Sequence, residues 1–190
     1  MNNPRTIDPF NITNYDRTEE ELQIFWLFCI MVAGKNAGQT ADKLTEMLWD
    51  VPNYYMPFDW LKMQNVEDWC RRHRTGQYNR VSKAIEQSLS LNLRKCSLSD
   101  LEGIYGVGSK SARFFLLHSR KKVSCAVIDT HILKYLQTKT EEELPKSTPN
   151  KKLYLRLEKM FLECIGIDYP KKTVAEADLL IWKQYKGNKQ

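Results

Sequence analysis

The sequence has few of the features that mark secreted, metal-binding or membrane proteins. Its five cysteines are scattered and never form a CxxC pair: Cys29, Cys70, Cys96, Cys125 and Cys164. A disulfide framework or a four-cysteine metal site needs closer clustering, so we expect reduced and mostly buried thiols. The residues after Met1 lack the apolar core of a signal peptide, and the most apolar stretch, 22–33, is too short to span a bilayer. These absences favour a soluble intracellular protein, in the cytoplasm, nucleoid or nucleus, with no membrane partner.

Alternating strand patterns are missing as well, and helical periodicity dominates the chain. Apolar residues make up 42% of the 190 residues, which is enough to bury a core. A helix beginning near Thr18 leads into residues 22–33, which are apolar almost all round and therefore predict a central buried helix. Further helical segments include 77–91, 151–164 and 173–185. The sequence therefore predicts an all-α protein.

The charge balance favours a negatively charged partner. There are 29 Lys and Arg residues against 23 Asp and Glu, which gives a formal charge of +6. Lys and Arg side chains that neutralise phosphates also release counterions, and this favours binding to nucleic acid. The indication is weak by itself, because many basic domains never bind nucleic acid.

The most informative segment is 97–120, which predicts two helices joined by a tight turn. Ser99 and Glu102 have the spacing of a capping box, and Gly103 ends the first helix. The G-V-G turn has glycines where a positive φ would exclude residues with a Cβ. Such a helix-hairpin-helix exposes backbone N–H groups beside the positive end of a helix, and these bind a DNA phosphate without reading its sequence. The predicted phosphate-binding residues are Gly106, Val107, Gly108, Ser109 and Lys110.

A plain tight turn in a helical bundle is the alternative, since a G-x-G pattern alone is weak evidence. The apolar Ile104 and the small Ala112 favour the DNA-binding interpretation. Basic residues in and after the second helix are compatible with a phosphate track: Arg113, Arg120, Lys121 and Lys122. Taken singly, each of them is better explained as a solvated surface charge.

Lys110 and Asp129 are the candidate catalytic residues. Lys110 lies in the first turn of its helix, where the positive end of the dipole favours the neutral amine that a nucleophile needs. Asp129 follows 19 positions later, far enough for the chain to return, so its carboxylate could accept the lysine's proton and stabilise positive charge on a sugar. Each has a simpler interpretation, as a surface or phosphate-binding lysine and as a helix N-cap. His131 is better explained as a structural or DNA-facing residue than as a base.

Two motifs together, GVGSKSA and AVIDTHI, closely resemble the signature of the helix-hairpin-helix DNA glycosylase superfamily, which includes endonuclease III and the 8-oxoguanine DNA glycosylases. The segment TGQYNRVSKAIEQ resembles the family's helix start upstream of the hairpin. The resemblance implies that Lys110 attacks the anomeric carbon and forms a Schiff base, assisted by Asp129. It implies a bifunctional enzyme of base excision repair, which removes a damaged base and then cleaves the strand by β-elimination.

One departure narrows the resemblance. Endonuclease III has four cysteines for an iron–sulfur cluster near its C-terminus, whereas only Cys164 lies in that region here. The resemblance therefore implies the cluster-free, compact 8-oxoguanine type, without a cofactor apart from a monovalent cation that the hairpin could hold. The helix KSARFFLLHSR and the tail AEADLLIWKQYKGNKQ resemble segments of that subfamily. Its C-terminal lysine helps to recognise the lesion, but this chain ends Lys189-Gln190, so that role stays open.

The resemblance also implies an architecture of two helical lobes with a DNA-binding cleft between them. We expect residues 25–135 to form one lobe with the hairpin, and residues 1–24 plus 136–190 to form the other. The expected partner is double-stranded DNA that contains a damaged base or an abasic site, bound by a monomer. Because the damaged base must be flipped into a pocket, it needs a wedge and a stacking surface. Candidates for the wedge or base pocket are Asn36, Gln39, Phe114, Asp178 and Trp182.

The leading hypothesis is a glycosylase/lyase for 8-oxoguanine. An endonuclease III-like enzyme for oxidised pyrimidines is the alternative within the enzyme class, and a non-catalytic helix-hairpin-helix module is the alternative outside it. A metallonuclease is disfavoured, because no His and carboxylate residues stand at metal-ligand spacing.

Overall fold

The computed structural model describes residues 6–186, and over this range the protein is all-helical, with ten helices and no strand. The prediction of an all-α fold is confirmed. The helices are α1 (Glu19–Met31), α2 (Ala37–Leu48), α3 (Pro57–Leu61), α4 (Val66–Arg72), α5 (Tyr78–Ser88), α6 (Leu98–Glu102), α7 (Ser109–Ser119), α8 (Thr130–Gln137), α9 (Lys151–Asp168) and α10 (Val174–Lys186).

The described chain divides into two compact units. Unit 1 contains residues 6–12 and Asp16–Phe115, and unit 2 contains Thr13–Tyr15 and residues 116–186. The expected lobes, 25–135 and 1–24 plus 136–190, have different bounds. The whole of α1 belongs to unit 1 because it packs against α2, α3 and α5. Residues 116–135 belong to unit 2, where α8 packs against α9 and α10.

Unit 1 is built around α1. Thr18 begins this helix with a capping box, in which its side chain accepts from the backbone N–H of Glu21 and its own N–H donates to the Glu21 side chain. Every residue from Leu22 to Met31 is buried, as the sequence predicted. The polar atom of Trp26 is satisfied inside this core, because its Nε1 donates to Ser88 Oγ at 2.8 Å. The ring of Trp26 also packs edge-on against Phe115, with centroids 5.0 Å apart.

Unit 2 has its own core, formed by the facing sides of α8, α9 and α10. The non-helical segment that leads into α8 is buried and bonded to α9. The Tyr154 hydroxyl donates to the carbonyl of Ala126 and accepts from the N–H of Ile128, both at 2.9 Å. Glu158 accepts from the N–H of Ala126 at 2.8 Å. These bonds fix the backbone immediately before Asp129.

All five cysteines are free thiols and four of them are buried, as the sequence predicted. None of the helices in residues 6–186 is both long and apolar enough to cross a membrane.

Candidate active site

The predicted hairpin is present, and its first helix lies where the sequence predicted, but a different pair of residues forms the capping box. The capping box of α6 is formed by Ser97 and Asp100, not by Ser99 and Glu102. Asp100 donates its N–H to Ser97 Oγ at 3.1 Å, and its carboxylate accepts from the N–H of Ser97 at 2.7 Å. The prediction was wrong because the chain offers two overlapping S-x-x-acid patterns, and α6 starts at the earlier one.

Glu102 instead bonds to residues of α7, the second helix of the hairpin. Its carboxylate accepts from Ser109 Oγ at 2.8 Å and from Arg113 Nη1 at 2.6 Å. Arg113 is only 3% exposed, so its guanidinium is buried against this carboxylate. The explanation of Arg113 as a solvated surface charge was therefore wrong, and its buried guanidinium is poorly placed for a phosphate track. Lys121 and Lys122, by contrast, are exposed in unit 2.

The two glycines of the turn have different structural roles. Gly106 has a φ of 73°, the left-handed conformation that favours glycine, and a Cβ there would overlap the stem of Arg80. Gly108 has no such φ, and a Cβ at this position would meet no atom within 4 Å. Only Gly106 is thus demanded by the fold, while the space beside Gly108 is open.

The start of α7 leaves its backbone donors free. The first intrahelical bond runs from the N–H of Ala112 to the carbonyl of Gly108, at 3.2 Å. The N–H groups of Gly108, Ser109 and Lys110 donate to no acceptor within residues 6–186. Free N–H groups at the positive end of a helix form an anion site.

Lys110 lies half-buried in the same turn. Its ammonium group forms no hydrogen bond or ion pair with the residues of unit 1. A lysine without a carboxylate partner is available to a ligand, and it lies at the helix end where an anion would bind.

Asp129 is the N-cap of α8, as the simpler interpretation predicted. Its Oδ1 accepts from the N–H of His131 at 2.8 Å and from the N–H of Ile132 at 2.9 Å. The other oxygen, Oδ2, has no hydrogen-bond partner among the described residues of unit 2. The cap therefore occupies one oxygen and leaves the second to a ligand. Lys110 and Asp129 lie in different units, so their joint action stays a prediction.

Trp182 lies beside the start of α8. Its ring meets the ring of His131 edge-on, with centroids 6.1 Å apart and an interplanar angle of 87°. The Nζ of Lys186 lies 4.5 Å from the centroid of the Trp182 ring. Trp182, one of the predicted pocket residues, therefore contacts His131, which lies two positions after Asp129 at the start of α8.

The environment of Asp178 differs from the one expected of a residue that contacts the flipped nucleobase. It is 5% exposed, and its Oδ2 lies 3.3 Å from Nε2 of the fully buried His118. The Nδ1 of His118 in turn lies 2.8 Å from Thr13 Oγ1. Asp178 is therefore part of a buried polar chain in unit 2.

The remaining predicted pocket residues lie in unit 1. Phe114 is half-buried, and its ring packs against those of Phe25 and Phe28 with centroid distances of 5.7 and 6.4 Å. Asn36 and Gln39 are both exposed where α2 begins. Asn36 is the N-cap of α2, and its Oδ1 accepts from the N–H of Gln39 at 3.1 Å.

Two further expectations concern other parts of the chain. The Lys189-Gln190 tail lies outside the described residues. Within residues 6–186, no group of three or more His, Cys, Asp and Glu side chains is placed to hold a metal ion.

Comparison with known proteins gives matches among solved structures only. No family model and no curated protein matches the sequence. The 8-oxoguanine glycosylase/lyase of Methanocaldococcus jannaschii, in complex with a 15mer DNA containing 8-oxoguanine, superposes with a TM-score of 0.65 at 22% identity, over 91% of this chain and 84% of that one. The chain has the fold of the 8-oxoguanine DNA glycosylases. A second structure of the archaeal enzyme gives a TM-score of 0.66 at 22% identity, over 94% of this chain and 84% of that one. The 8-oxoguanine DNA glycosylase of Thermotoga maritima gives 0.63 at 20% identity, over 94% and 86%. The fold that the two motifs implied is confirmed.

Proposed function

We propose that this protein is a DNA glycosylase with lyase activity that acts in base excision repair, with 8-oxoguanine as its favoured substrate. The observation that carries the proposal is the start of α7, where free backbone N–H groups and the Lys110 side chain share one helical turn. Its fold is that of glycosylases for the same lesion.

The hairpin would bind the phosphate backbone of double-stranded DNA. The free N–H groups of Gly108, Ser109 and Lys110 are donors for one phosphate, and the dipole of α7 adds attraction. The open space beside Gly108 allows the backbone to approach an anion closely. Contacts of this kind do not depend on sequence, which suits an enzyme that must find a lesion in any context.

Lys110 is the proposed nucleophile. Its neutral amine attacks C1′ of the damaged nucleotide, the glycosidic bond breaks, and the base leaves with the bonding electron pair and takes up a proton. The sugar ring then opens to an imine with the lysine. Loss of a C2′ proton expels the 3′ phosphate by β-elimination, and water releases the enzyme. The reaction needs no cofactor.

Asp129 is the proposed assisting carboxylate. The two N–H groups that bind Oδ1 hold the side chain in one orientation, and Oδ2 is left to accept a proton or to stabilise positive charge on the sugar. The bonds from Tyr154 to the preceding backbone add rigidity to this placement. The N-cap and the catalytic interpretations of Asp129 are therefore compatible.

The flipped base must be held in a pocket, and a wedge must fill the gap that the base leaves in the duplex. We assign the wedge to Gln39, because it is exposed and its side chain bonds to no described residue, whereas the side-chain oxygen of Asn36 caps α2. Trp182 is the favoured stacking surface, since it lies beside the start of α8. Asp178 is a poorer candidate because it is buried beside His118, and Phe114 is poorer because its half-buried ring packs against Phe25.

Borohydride trapping tests the proposal, since it reduces an imine to a stable adduct only if an amine has attacked the sugar. The substrates are duplexes that carry one 8-oxoguanine, one thymine glycol or one abasic site. Lys110→Gln is compared with the wild type and with Lys62→Gln, a matched change at an exposed lysine of unit 1 that pairs with Asp59 at 2.9 Å. We expect adducts with the wild type and Lys62→Gln, fastest on 8-oxoguanine among the two lesions, and none with Lys110→Gln.

The other possible results of the trapping assay would support the alternative functions. Fastest trapping on thymine glycol would indicate an enzyme for oxidised pyrimidines. Salt-sensitive DNA binding without an adduct on any duplex would indicate a non-catalytic module or a hydrolytic glycosylase.

A further inference from the structure

Arg80, the third residue of α5, joins three separate segments of unit 1. Its Nε donates to the side-chain oxygen of Gln77 at 2.5 Å. One terminal nitrogen donates to the carbonyl of Ile30 at the end of α1, at 3.0 Å, and the other donates to the carbonyl of Gly106 in the hairpin turn, at 3.3 Å. A planar guanidinium can serve several carbonyls in fixed directions, which an ammonium group does less well.

The stem of Arg80 also shapes the turn. A Cβ at Gly106 would overlap Cγ of Arg80 and lie 3.1 Å from its Cδ, so the two residues pack directly on each other. The peptide that follows is held from the other side, because the N–H of Val107 donates to the carbonyl of Ile104 at 3.1 Å. Arg80 donates to the Gly106 carbonyl, and the Val107 N–H donates to the Ile104 carbonyl. These two bonds fix the peptide group between Gly106 and Val107 in one orientation. The free donors of the turn come immediately after it, at Gly108.

The cluster around Arg80 carries positive charge without a carboxylate. Arg80 forms no ion pair within residues 6–186, and neither does Lys35, whose Nζ donates to the carbonyl of Thr75. Burial lowers the pKa of Lys35, and the charge of Arg80 lowers it further. Two partly buried cations that repel each other give this cluster a positive potential, which attracts a phosphate to the hairpin without a direct contact.

Backbone strain is concentrated in the same place. Arg74 and Gln77, which are not glycines, have φ values of 51° and 47°, and Gly76 between them has 66°. Such conformations persist only where surrounding contacts impose them, and they are frequent at functional sites. Here the contacts are those from Lys35 to Thr75 and from Arg80 to Gln77.

We propose that Arg80 is a positioning residue for DNA binding: it holds the Gly106 carbonyl inward so that the N–H groups from Gly108 onward face a phosphate. Arg80 acts through the turn and does not touch the phosphate itself. The proposal rests on the proposed DNA-binding role of the hairpin and assigns a task to a residue outside it. In the sequence Arg80 stands in the segment TGQYNRVSKAIEQ, but nothing there indicates its contact with the hairpin turn, 26 positions later.

The test compares Arg80→Lys and Arg80→Met with Arg72→Met, a matched change at an exposed arginine of α4. Arg80→Lys keeps the charge and most of the stem, so it should fold, but it cannot hold all three acceptors. Binding to the abasic duplex is measured at several salt concentrations, together with the trapping rate at saturating DNA and amide NMR shifts of Gly106 and Gly108.

We expect Arg80→Lys to weaken binding about 10-fold and Arg80→Met about 10- to 100-fold, the range for loss of hydrogen bonds to charged groups. The trapping rate at saturating DNA should stay within about threefold of the wild type, because the chemical step is unchanged. The amide signals of Gly106 and Gly108 should shift in both variants. Arg72→Met should bind as the wild type does.

Wild-type binding by Arg80→Lys, or equal effects of Arg80→Met and Arg72→Met, would overturn the inference. If the wild type binds DNA but traps no adduct, the proposed enzyme fails while the role of Arg80 is still decided by binding. If the wild type does not bind DNA at all, both proposals fall.

Discussion

The starts of α7 and α8 are two helix N-termini that the protein treats in opposite ways. At α8, Asp129 caps the helix, and one of its oxygens satisfies the N–H groups of His131 and Ile132. At α7, the N–H groups from Gly108 to Lys110 are left without acceptors in the described chain, and a cation stands where an anion would stabilise the helix. A capped terminus stabilises the fold, whereas an uncapped one with an adjacent lysine is arranged for an anion from outside. The contrast between the two starts supports the proposal that α7 is the phosphate-binding element.

The largest expected effect tests whether the cap of α8 is only a cap. Asp129→Asn keeps an oxygen that can accept from both N–H groups but removes the charge, so we expect nearly unchanged thermal stability. The trapping rate should fall about 10²- to 10⁴-fold, the range for loss of a group that transfers a proton. Asp129→Ala should lose a similar rate and also about 1 kcal/mol of unfolding free energy. Wild-type trapping by Asp129→Asn would leave the N-cap as its whole role.

The next effect comes from making α7 resemble α8. In Gly108→Asp, a carboxylate would cap the free N–H groups and repel a phosphate, so DNA affinity should fall about 100-fold, as expected for lost charge-assisted hydrogen bonds. Stability should rise by a few tenths of a kcal/mol at most, because Asp is only slightly better than Gly at an N-cap. Gly108→Asn provides the uncharged cap and should give an intermediate loss in a fluorescence binding assay. Equal affinity of all three proteins would show that no phosphate binds at this turn.

The smallest effect separates the two glycines of the hairpin. Gly106→Ala should lower the unfolding free energy by about 1–2 kcal/mol, because the left-handed conformation disfavours a Cβ and Arg80 occupies the space. Gly108→Ala should change it by less than about 0.5 kcal/mol, since nothing lies within 4 Å of the added carbon. Chemical denaturation of both variants measures the difference. A larger loss of unfolding free energy for Gly108→Ala than for Gly106→Ala would contradict the view that the backbone of Gly108 is open to a ligand.

Local signals in the sequence predicted much of the fold and part of the site. The capping residue Thr18 and the continuous apolar run of α1 each act over a few positions, and both predictions were confirmed. Of the two glycines in the predicted G-V-G turn, Gly106 has the positive φ and Gly108 does not. Asp129 was recognised both as an N-cap and as a candidate carboxylate, and its position bears out the first. The capping box of α6 was assigned to Ser99 and Glu102 because two overlapping patterns could not be ranked from sequence.

The residues whose environments were predicted wrongly are those whose partners lie on another helix, many positions away in the sequence. Arg113 looked like one of several surface cations, yet it is buried on Glu102, 11 positions earlier. Asp178 looked available on the closing helix, yet it lies 3.3 Å from His118. No periodicity or motif reports such pairs, because each requires the packing of two helices to be known.

By itself, the sequence determined the helical content, the buried α1, the hairpin with its lysine and the cap of α8. These follow from periodicity, capping and glycine conformation, which operate within one or two helical turns. Only the tertiary structure decided which glycine the fold requires and how the hairpin turn is held, because Arg80 reaches Gly106 across 26 positions. It also decided how the backbone before Asp129 is fixed, because Tyr154 reaches Ala126 across 28 positions. Contacts over such separations arise when packed helices bring their side chains together, and a single sequence does not display that arrangement.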